Sequence, residues 1–159
     1  MKIVFITPAA DIRRNSIYRF GSSFYGRSNS ITGPLILGGI LKREGHEVEV
    51  YEELYKDLEY ENIKDADVIC IYTMTSNAPR AYELANIFKE EYKKRVIIGG
   101  MHASALPEEA LKYADQVVVG EAEKVIIDLI EGNIKESIVY APPVEDLDKI
   151  PFPDYSILK

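Results

Sequence analysis

Two glycines and a histidine follow a strongly apolar run of this sequence, and such residues can form a binding site. Residues 95–98 lead into Gly99 and Gly100, and His102 comes two residues later. A continuous apolar run that ends at glycine is typical of a central strand in a parallel sheet, because helices cover both of its faces. Ligands of open parallel sheets bind beyond the carboxyl ends of such strands. The glycines predict close approach of a ligand to the backbone, unless they only form a tight turn.

Hydroxyl-bearing residues follow another apolar run, residues 68–72. They are Thr73, Thr75 and Ser76, with Asn77 next in the chain. Helix capping would use one of these polar side chains, but the cluster exceeds what a cap needs. The cluster therefore marks the end of this strand as a second candidate for ligand contact.

Composition restricts the chemistry that this chain can carry out. A length of 159 residues with 47% hydrophobic and 28% charged residues is typical of one globular domain. The single cysteine, Cys70, excludes an internal disulfide and every multi-cysteine metal or iron–sulfur site, and its apolar surroundings favour a core residue. The net charge of −7 argues against a nucleic-acid surface. We predict no catalytic residue and no metal ligand in this sequence.

The sequence also lacks the signals of membrane or secreted proteins. No apolar run approaches the ~20 residues that a membrane span requires. The chain opens directly on a strand-like run, Lys2-Ile3-Val4, and not on a signal peptide. These features predict a cytoplasmic protein without membrane contact.

Five strand-like runs alternate with helical segments along the chain. They cover residues 3–7, 47–51, 68–72, 95–98 and 116–119. This alternation predicts an α/β fold with a doubly wound parallel sheet. The flavodoxin-like order 2-1-3-4-5 is preferred over a longer Rossmann order because only five strands are evident. A helix is expected to begin at Thr32, and Gly38 and Gly39 would let it pack closely on the sheet.

Two segments depart from this regular alternation. Residues 9–32 form a long loop with four aromatic residues, and its charged residues are Asp11, Arg13, Arg14, Arg19 and Arg27. Loops of this length are usually functional, so we predict a lid or a partner-facing loop, with a solvated charged loop as the alternative. Beyond Gly132, residues 137–140 could add a strand and prolines keep the chain extended. We assign residues 1–132 to the α/β domain and residues 133–159 to a linker toward a missing C-terminal domain.

Several motifs in the second half of the chain resemble a known family. They are Gly99-Gly100-Met101-His102-Ala103-Ser104, Pro107-Glu108-Glu109, Val119-Gly120-Glu121-Ala122-Glu123 and the segment Ile150-Pro151-Phe152-Pro153. Together they resemble the amino-terminal cobalamin-binding domain of cobalamin-dependent radical S-adenosylmethionine enzymes. The family has a glycine where this chain has Ala122. The resemblance spans nearly the whole chain outside residues 9–32.

The resemblance implies a base-off cobalamin whose nucleotide tail enters a slot at the carboxyl edge of the sheet, with the corrin over the turns. By position, the implied cofactor-binding residues are Thr73, Thr75, Ser76, Gly99, Gly100, His102, Gly120 and Glu121. Among them, the hydroxyls would line the tail, Gly99 and Gly100 would admit it, and Gly120 and Glu121 would bound its far side. His102 would touch the corrin or its tail, or would instead satisfy the backbone of its turn.

The resemblance also implies what surrounds this domain in the intact protein. The partner would be its own C-terminal radical domain, which would hold S-adenosylmethionine and an iron–sulfur cluster for methyl transfer or related radical chemistry. The chain alone would have no catalytic activity. Two alternatives are the amino-terminal half of a nucleotide-sugar transferase, which residues 33–50 also resemble, and a degenerate cobalamin-type domain without a cofactor. A phospho-acceptor domain ranks last, because Asp11 is the only acid near the first strand.

Histidine positions bear on the ligand below the cobalt. Classical cobalamin domains carry a cobalt-binding histidine after the first strand, where this chain has Asp11, Arg13, Arg14 and Asn15. Arginine stays protonated and cannot coordinate a metal. His46 precedes the second strand and is expected at the opposite edge of the sheet. We therefore predict bound cobalamin without a protein imidazole on cobalt.

Overall fold

The computed structural model describes residues 1–10 and 31–159, and these form a six-stranded sheet with helices on both faces. The strands are β1 (Lys2–Thr7), β2 (Glu47–Glu52), β3 (Val68–Tyr72), β4 (Arg95–Gly99), β5 (Gln116–Val119) and β6 (Ile138–Tyr140). The helices are α1 (Thr32–Arg43), α2 (Ala78–Asn86), α3 (Met101–Ala105), α4 (Pro107–Ala110) and α5 (Ile126–Glu131). Of the long loop predicted at residues 9–32, residues 11–30 lie outside the described residues, and with them the predictions of a lid or a partner-facing loop. Within the described ranges, no helix is long and apolar enough to cross a membrane.

The strand order is β2-β1-β3-β4-β5-β6, and every neighbouring pair is parallel. This confirms the predicted α/β class and the flavodoxin-like order of the first five strands. Residues 137–140, which the sequence allows as an extra strand, contain β6. This strand extends the sheet beyond β5, with Val118 paired to Val139. The carboxyl ends of all six strands therefore meet at one edge.

Side chains of the central strands alternate between two apolar layers. Ile69 and Ile98 are fully buried in the layer beneath α2, α3 and α4. Cys70 and Ile97 belong to the opposite layer, beneath α1 and α5. Burial of both faces explains why these strands are continuously apolar in sequence. The position of a residue along its strand consequently decides which layer its side chain enters.

Helix α1 packs closely on its neighbours because Gly38 has no side chain. A Cβ atom at Gly38 would lie 3.1 Å from Cγ1 of Val48 in β2, which confirms the predicted close approach to the sheet. The same Cβ would lie 2.5 Å from Cδ1 of Ile157. Ile157 is 3% exposed and belongs to the C-terminal residues, which fold back over α1.

Backbone and side-chain hydrogen bonds hold these C-terminal residues in place. The N–H of Asp154 donates to the carbonyl of Leu35 in α1 at 3.2 Å, and the N–H of Lys159 donates to the carbonyl of Val50 in β2 at 3.0 Å. The ammonium of Lys42 donates to Oδ2 of Asp154 at 3.0 Å. The final residues of this chain are thus attached to both α1 and β2.

Two carboxylates at the end of β2 hold the residues that flank the segment 11–30. Oε2 of Glu53 accepts a hydrogen bond from the N–H of Ala9 at 3.0 Å, and Oε1 of Glu52 accepts one from the N–H of Ile31 at 3.2 Å. Glu53 also forms a buried ion pair with Arg80 of α2, with Nη2 2.6 Å from Oε1. Both flanks are therefore held beside the carboxyl edge of the sheet.

Candidate functional site

A cavity of about 610 Å³ opens at the carboxyl edge of the sheet. One wall is formed by β1, β3, β4 and β5, and the rest by the first two turns of α1, by α3 and by residues 120–126. Pro34 and Leu37 contribute the α1 side, and Ile126 contributes the α5 side. A mostly apolar cleft at this edge is where doubly wound folds bind their ligands.

The floor of the cavity is a row of three side chains on adjacent strands. Phe5 pairs with Cys70, and Cys70 pairs with Ile97. All three belong to the apolar layer beneath α1 and α5. Burial raises the pKa of the Cys70 thiol to about 12, so the thiol stays protonated and behaves as the core residue that the sequence predicts.

Gly99 leaves a gap in the next row of side chains, nearer the edge. It pairs with Tyr72 on one side, and on the other a Cβ at Gly99 would lie 3.9 Å from Cβ of Val118. Strand alternation places Gly99 on the same face as Ile97, so a side chain there would stand above the cavity floor. The gap gives a flat group access between Tyr72 and Val118.

Gly100 also lines the cavity, but its missing side chain serves a different purpose. Its φ angle is +101°, and a Cβ would lie 2.5 Å from the carbonyl oxygen and 2.8 Å from the nitrogen of Thr73. That Cβ would therefore collide with the backbone that follows β3 and would not fill the cavity. Gly100 lets the turn after β4 pass close to β3.

The Thr73 hydroxyl joins the ends of β3 and β4. Its Oγ1 donates to the carbonyl of Gly99 at 2.8 Å and accepts a hydrogen bond from the N–H of Ala103 at 3.1 Å. Thr73 is fully buried and does not line the cavity. Its contacts are those of a residue that shapes the turn around Gly100.

Thr75 and His102 lie in a second cleft, of about 500 Å³, which α2 borders. Nδ1 of His102 is 3.3 Å from Oγ1 of Thr75, and Nε2 is 3.4 Å from Oε1 of Glu109. The hydroxyl of Tyr82 donates to the same Glu109 oxygen at 3.1 Å. The ring nitrogens of His102 thus contact the side chains of Thr75 and Glu109, and not the backbone of its own turn. Ser76 is exposed and lines neither cavity.

Gly120 and Glu121 border the cavity on the β5 side, next to α3. The N–H of Gly120 donates to Oγ of Ser104 at 3.0 Å, which connects the turn after β5 to α3. Oε2 of Glu121 accepts a hydrogen bond from the N–H of Val144 at 2.7 Å. Glu121 therefore stabilises the segment after β6, in addition to bordering the cavity.

The sequence did not identify three further residues of this site. Met101 lines the mouth and is 65% exposed, although it is large and apolar. Ser104 fixes Gly120 as described. Glu123 also lines the cavity, and its Oε2 is buried without a hydrogen-bond partner among the described residues. All three belong to the motifs quoted above, but nothing in those motifs distinguished them from their neighbours.

Comparison with known proteins gives one family match and two curated relatives. Residues 32–130 match the model of the B12 binding domain. The chain is 39% identical over 96 residues to bacteriochlorophyllide d C-8(2)-methyltransferase of Chlorobaculum tepidum, covering 57% of this chain and 21% of that protein. It is 30% identical over 135 residues to bacteriochlorophyllide d C-12(1)-methyltransferase of the same organism, covering 81% of this chain and 29% of that protein. The chain thus spans less than a third of each relative.

A solved structure shares the fold. The cobalamin-dependent S-adenosylmethionine radical enzyme OxsB, with aqua-cobalamin bound, superposes with a TM-score of 0.72 at 13% identity. The match covers 98% of this chain and 24% of that enzyme. At this identity the likeness concerns the fold alone.

Proposed function

Because this chain belongs to the B12 binding domain family, whose model matches residues 32–130, we propose that it binds cobalamin at the carboxyl edge of its sheet. The observation that carries the proposal is the cavity of about 610 Å³, which Gly99 borders without a side chain. A flat aromatic base on a flexible tail matches a narrow slot with apolar walls. The aqua-cobalamin in the OxsB structure supports this assignment.

The residues around the cavity have separate roles in this proposal. The row of Phe5, Cys70 and Ile97 excludes water beneath the base of the nucleotide tail, and Gly99 admits the tail. The exposed side chain of Met101 offers apolar surface to the corrin at the mouth. Thr73 and Gly100 hold the turn that shapes the entrance. Bound cobalamin would supply a cobalt centre that can carry a methyl group.

The chain is proposed to act as one module of a longer enzyme. Its curated relatives are methyltransferases of which it spans 21% and 29%. A radical domain with S-adenosylmethionine and an iron–sulfur cluster would follow residues 133–159 and would carry out methyl transfer or related radical chemistry. No multi-cysteine cluster site can form within this sequence, so residues 1–159 alone would bind the cofactor without catalysis. No comparison supports the nucleotide-sugar transferase alternative.

Cobalamin uptake by the isolated chain tests this function. We expect protein mixed with hydroxocobalamin and then desalted to retain the corrinoid in about a one-to-one ratio, because the cavity is present without a second domain. The visible spectrum of the desalted protein gives the ratio. Retention no greater than that of an unrelated protein of equal size would favour the alternative of a degenerate domain without a cofactor.

We also expect no protein nitrogen on the cobalt. The sequence contains two histidines; His102 contacts Thr75 and Glu109, and His46 directly precedes β2 at the opposite edge. Electron paramagnetic resonance of the cob(II)alamin form should therefore lack axial nitrogen splitting, and His102→Ala should leave the spectrum unchanged. Splitting that disappears in His102→Ala would identify His102 as the ligand. Splitting that persists in that variant would mean that the tail base stays on cobalt and does not enter the cavity.

A further inference from the structure

Glu123 is the residue of the cavity whose chemistry the proposed function leaves unused. It lines the cavity from the short helical turn Ala122–Lys124 after β5, and its Oε2 is buried without a hydrogen-bond partner among the described residues. Its neighbours are engaged elsewhere. Oε2 of Glu121 accepts from the N–H of Val144, and the ammonium of Lys124 donates to the carbonyl of Pro143 at 2.7 Å. The adjacent cation, Lys124, is therefore directed to Pro143 and not to Glu123.

A buried carboxylate oxygen without a donor costs folding free energy and is uncommon in native structures. Among the described residues none donates a hydrogen bond to this oxygen, although Tyr72 and Ser104 also line the cavity. A ligand that brings an O–H or N–H group to this oxygen would remove the cost. A ligand that brings only hydrocarbon would leave the oxygen unpaired, and sites of this kind discriminate strongly against such ligands.

We propose that Glu123 selects the nucleotide tail of the corrinoid by accepting a hydrogen bond from an O–H or N–H group on that tail. This inference rests on the proposed function, because the tail must enter the cavity. Two parts of a tail carry such donors: the ribose has hydroxyls, and some lower bases, such as adenine, have an amino group. Dimethylbenzimidazole, the base of cobalamin itself, has methyl groups at its outer edge and no such donor there.

The test compares Glu123→Met, which removes the acceptor but keeps similar volume, with Glu123→Gln, which keeps a carbonyl acceptor. Each is titrated with cobalamin, with the corrinoid that carries adenine as its lower base, and with cobinamide, which lacks the nucleotide tail. We expect Glu123→Met to weaken binding of at least one tailed corrinoid by about tenfold to a hundredfold. We expect Glu123→Gln to recover most of that loss, and cobinamide binding to be equal in all three proteins.

Comparing the three corrinoids shows which part of the nucleotide tail donates the hydrogen bond to Glu123. Equal losses for cobalamin and the adenine corrinoid assign it to the ribose, and a loss confined to the adenine corrinoid assigns it to the base. Unchanged binding of both tailed corrinoids in Glu123→Met would overturn the inference, as would an equal loss for cobinamide. Wild-type protein that retains no corrinoid would instead overturn the proposed function, and the inference with it.

Thermal unfolding of the apo proteins separates ligand selection from a structural role. Replacing a buried unpaired carboxylate by an apolar side chain should leave the unfolding temperature unchanged or raise it, whereas a structural role for Glu123 requires that it fall. Glu108→Met is the matched control, because Glu108 is exposed on α4 and lies outside the cavity. This control should bind all three corrinoids as the wild type does.

Discussion

A Gly99→Val variant is expected to fold normally and to lose cobalamin. The Cβ at Gly99 meets only Val118, at 3.9 Å, which is an ordinary van der Waals distance, and its φ is compatible with a β-branched residue. The valine methyl groups would nevertheless stand above Ile97 and close the gap beside Tyr72. Forcing a ligand past them should cost about 3 kcal/mol or more, which weakens binding about a hundredfold. Titration with hydroxocobalamin, followed in the visible spectrum, measures the loss.

Comparing alanine with valine at position 99 tests whether binding is lost because the added side chain blocks the cavity. Gly99→Ala adds one methyl group and should weaken binding less than Gly99→Val does, while both variants unfold within about 1 kcal/mol of the wild type. Gly33→Ala is a matched control, since Gly33 lines the same cavity but a Cβ there has no atom within 4 Å. Full cobalamin uptake by Gly99→Val would show that the tail does not pass this gap.

A Gly100→Ala variant should instead lose stability. Its φ of +101° with ψ of −179° is a backbone region that only glycine adopts readily, and the added Cβ would lie 2.5 Å from the carbonyl oxygen of Thr73. Backbone strain and overpacking each cost about 1–3 kcal/mol, so we expect a loss of about 4 kcal/mol in the free energy of unfolding. Urea denaturation followed by circular dichroism measures this loss.

Gly45→Ala serves as a reference for backbone strain at a glycine of positive φ without a steric collision. Gly45 also has a positive φ, +87°, but nothing lies within 4 Å of a Cβ built there. Its alanine variant should lose about 1 kcal/mol, from backbone strain alone. A larger loss at Gly100 would reflect the collision with Thr73 together with its extended ψ of −179°. Equal losses would mean that the turn after β4 moves away from β3 at little cost.

The fold could be predicted because the strands are buried on both faces. Continuous apolar runs such as residues 68–72 and 95–98 are local signals, and their alternation with helices leaves few arrangements of a parallel sheet. The three-residue strand β6 gave a weaker signal, because its Val139 is buried but its Tyr140 is 69% exposed. The sequence therefore indicated β6 only as an optional strand.

Part of the candidate site could be predicted from the sequence. Strand alternation explains which of the predicted residues line the cavity and which do not. Gly99 lies on the face of Ile97, and Tyr72 on the face of Cys70, so both reach the cavity. Thr73 is one residue further along and its side chain joins the backbone of β4 instead. Alternation from Cys70 was available in the sequence and would have separated Thr73 from the cavity.

Other features of the site depend on contacts that no local pattern reveals. The unpartnered Oε2 of Glu123 is one example, because the adjacent Lys124 donates instead to the carbonyl of Pro143, 19 positions away. His102 belongs to a conspicuous motif, yet its ring contacts Thr75 and Glu109 on the side of α2. Such partners are set by how the elements pack, and sequence spacing does not contain that information.

The attachment of the last residues to β2 also affects how separate molecules meet. As the outermost strand of the sheet, β2 would offer its unpaired backbone groups to the strands of another molecule, which is a common route to aggregation. The N–H of Lys159 donates to the carbonyl of Val50, and Leu158 forms a parallel β-bridge with the same residue. With Ile157 seated against Gly38, these residues block strand addition at the centre of β2. The C-terminal residues thereby cover part of the edge of β2 that a second molecule could otherwise extend.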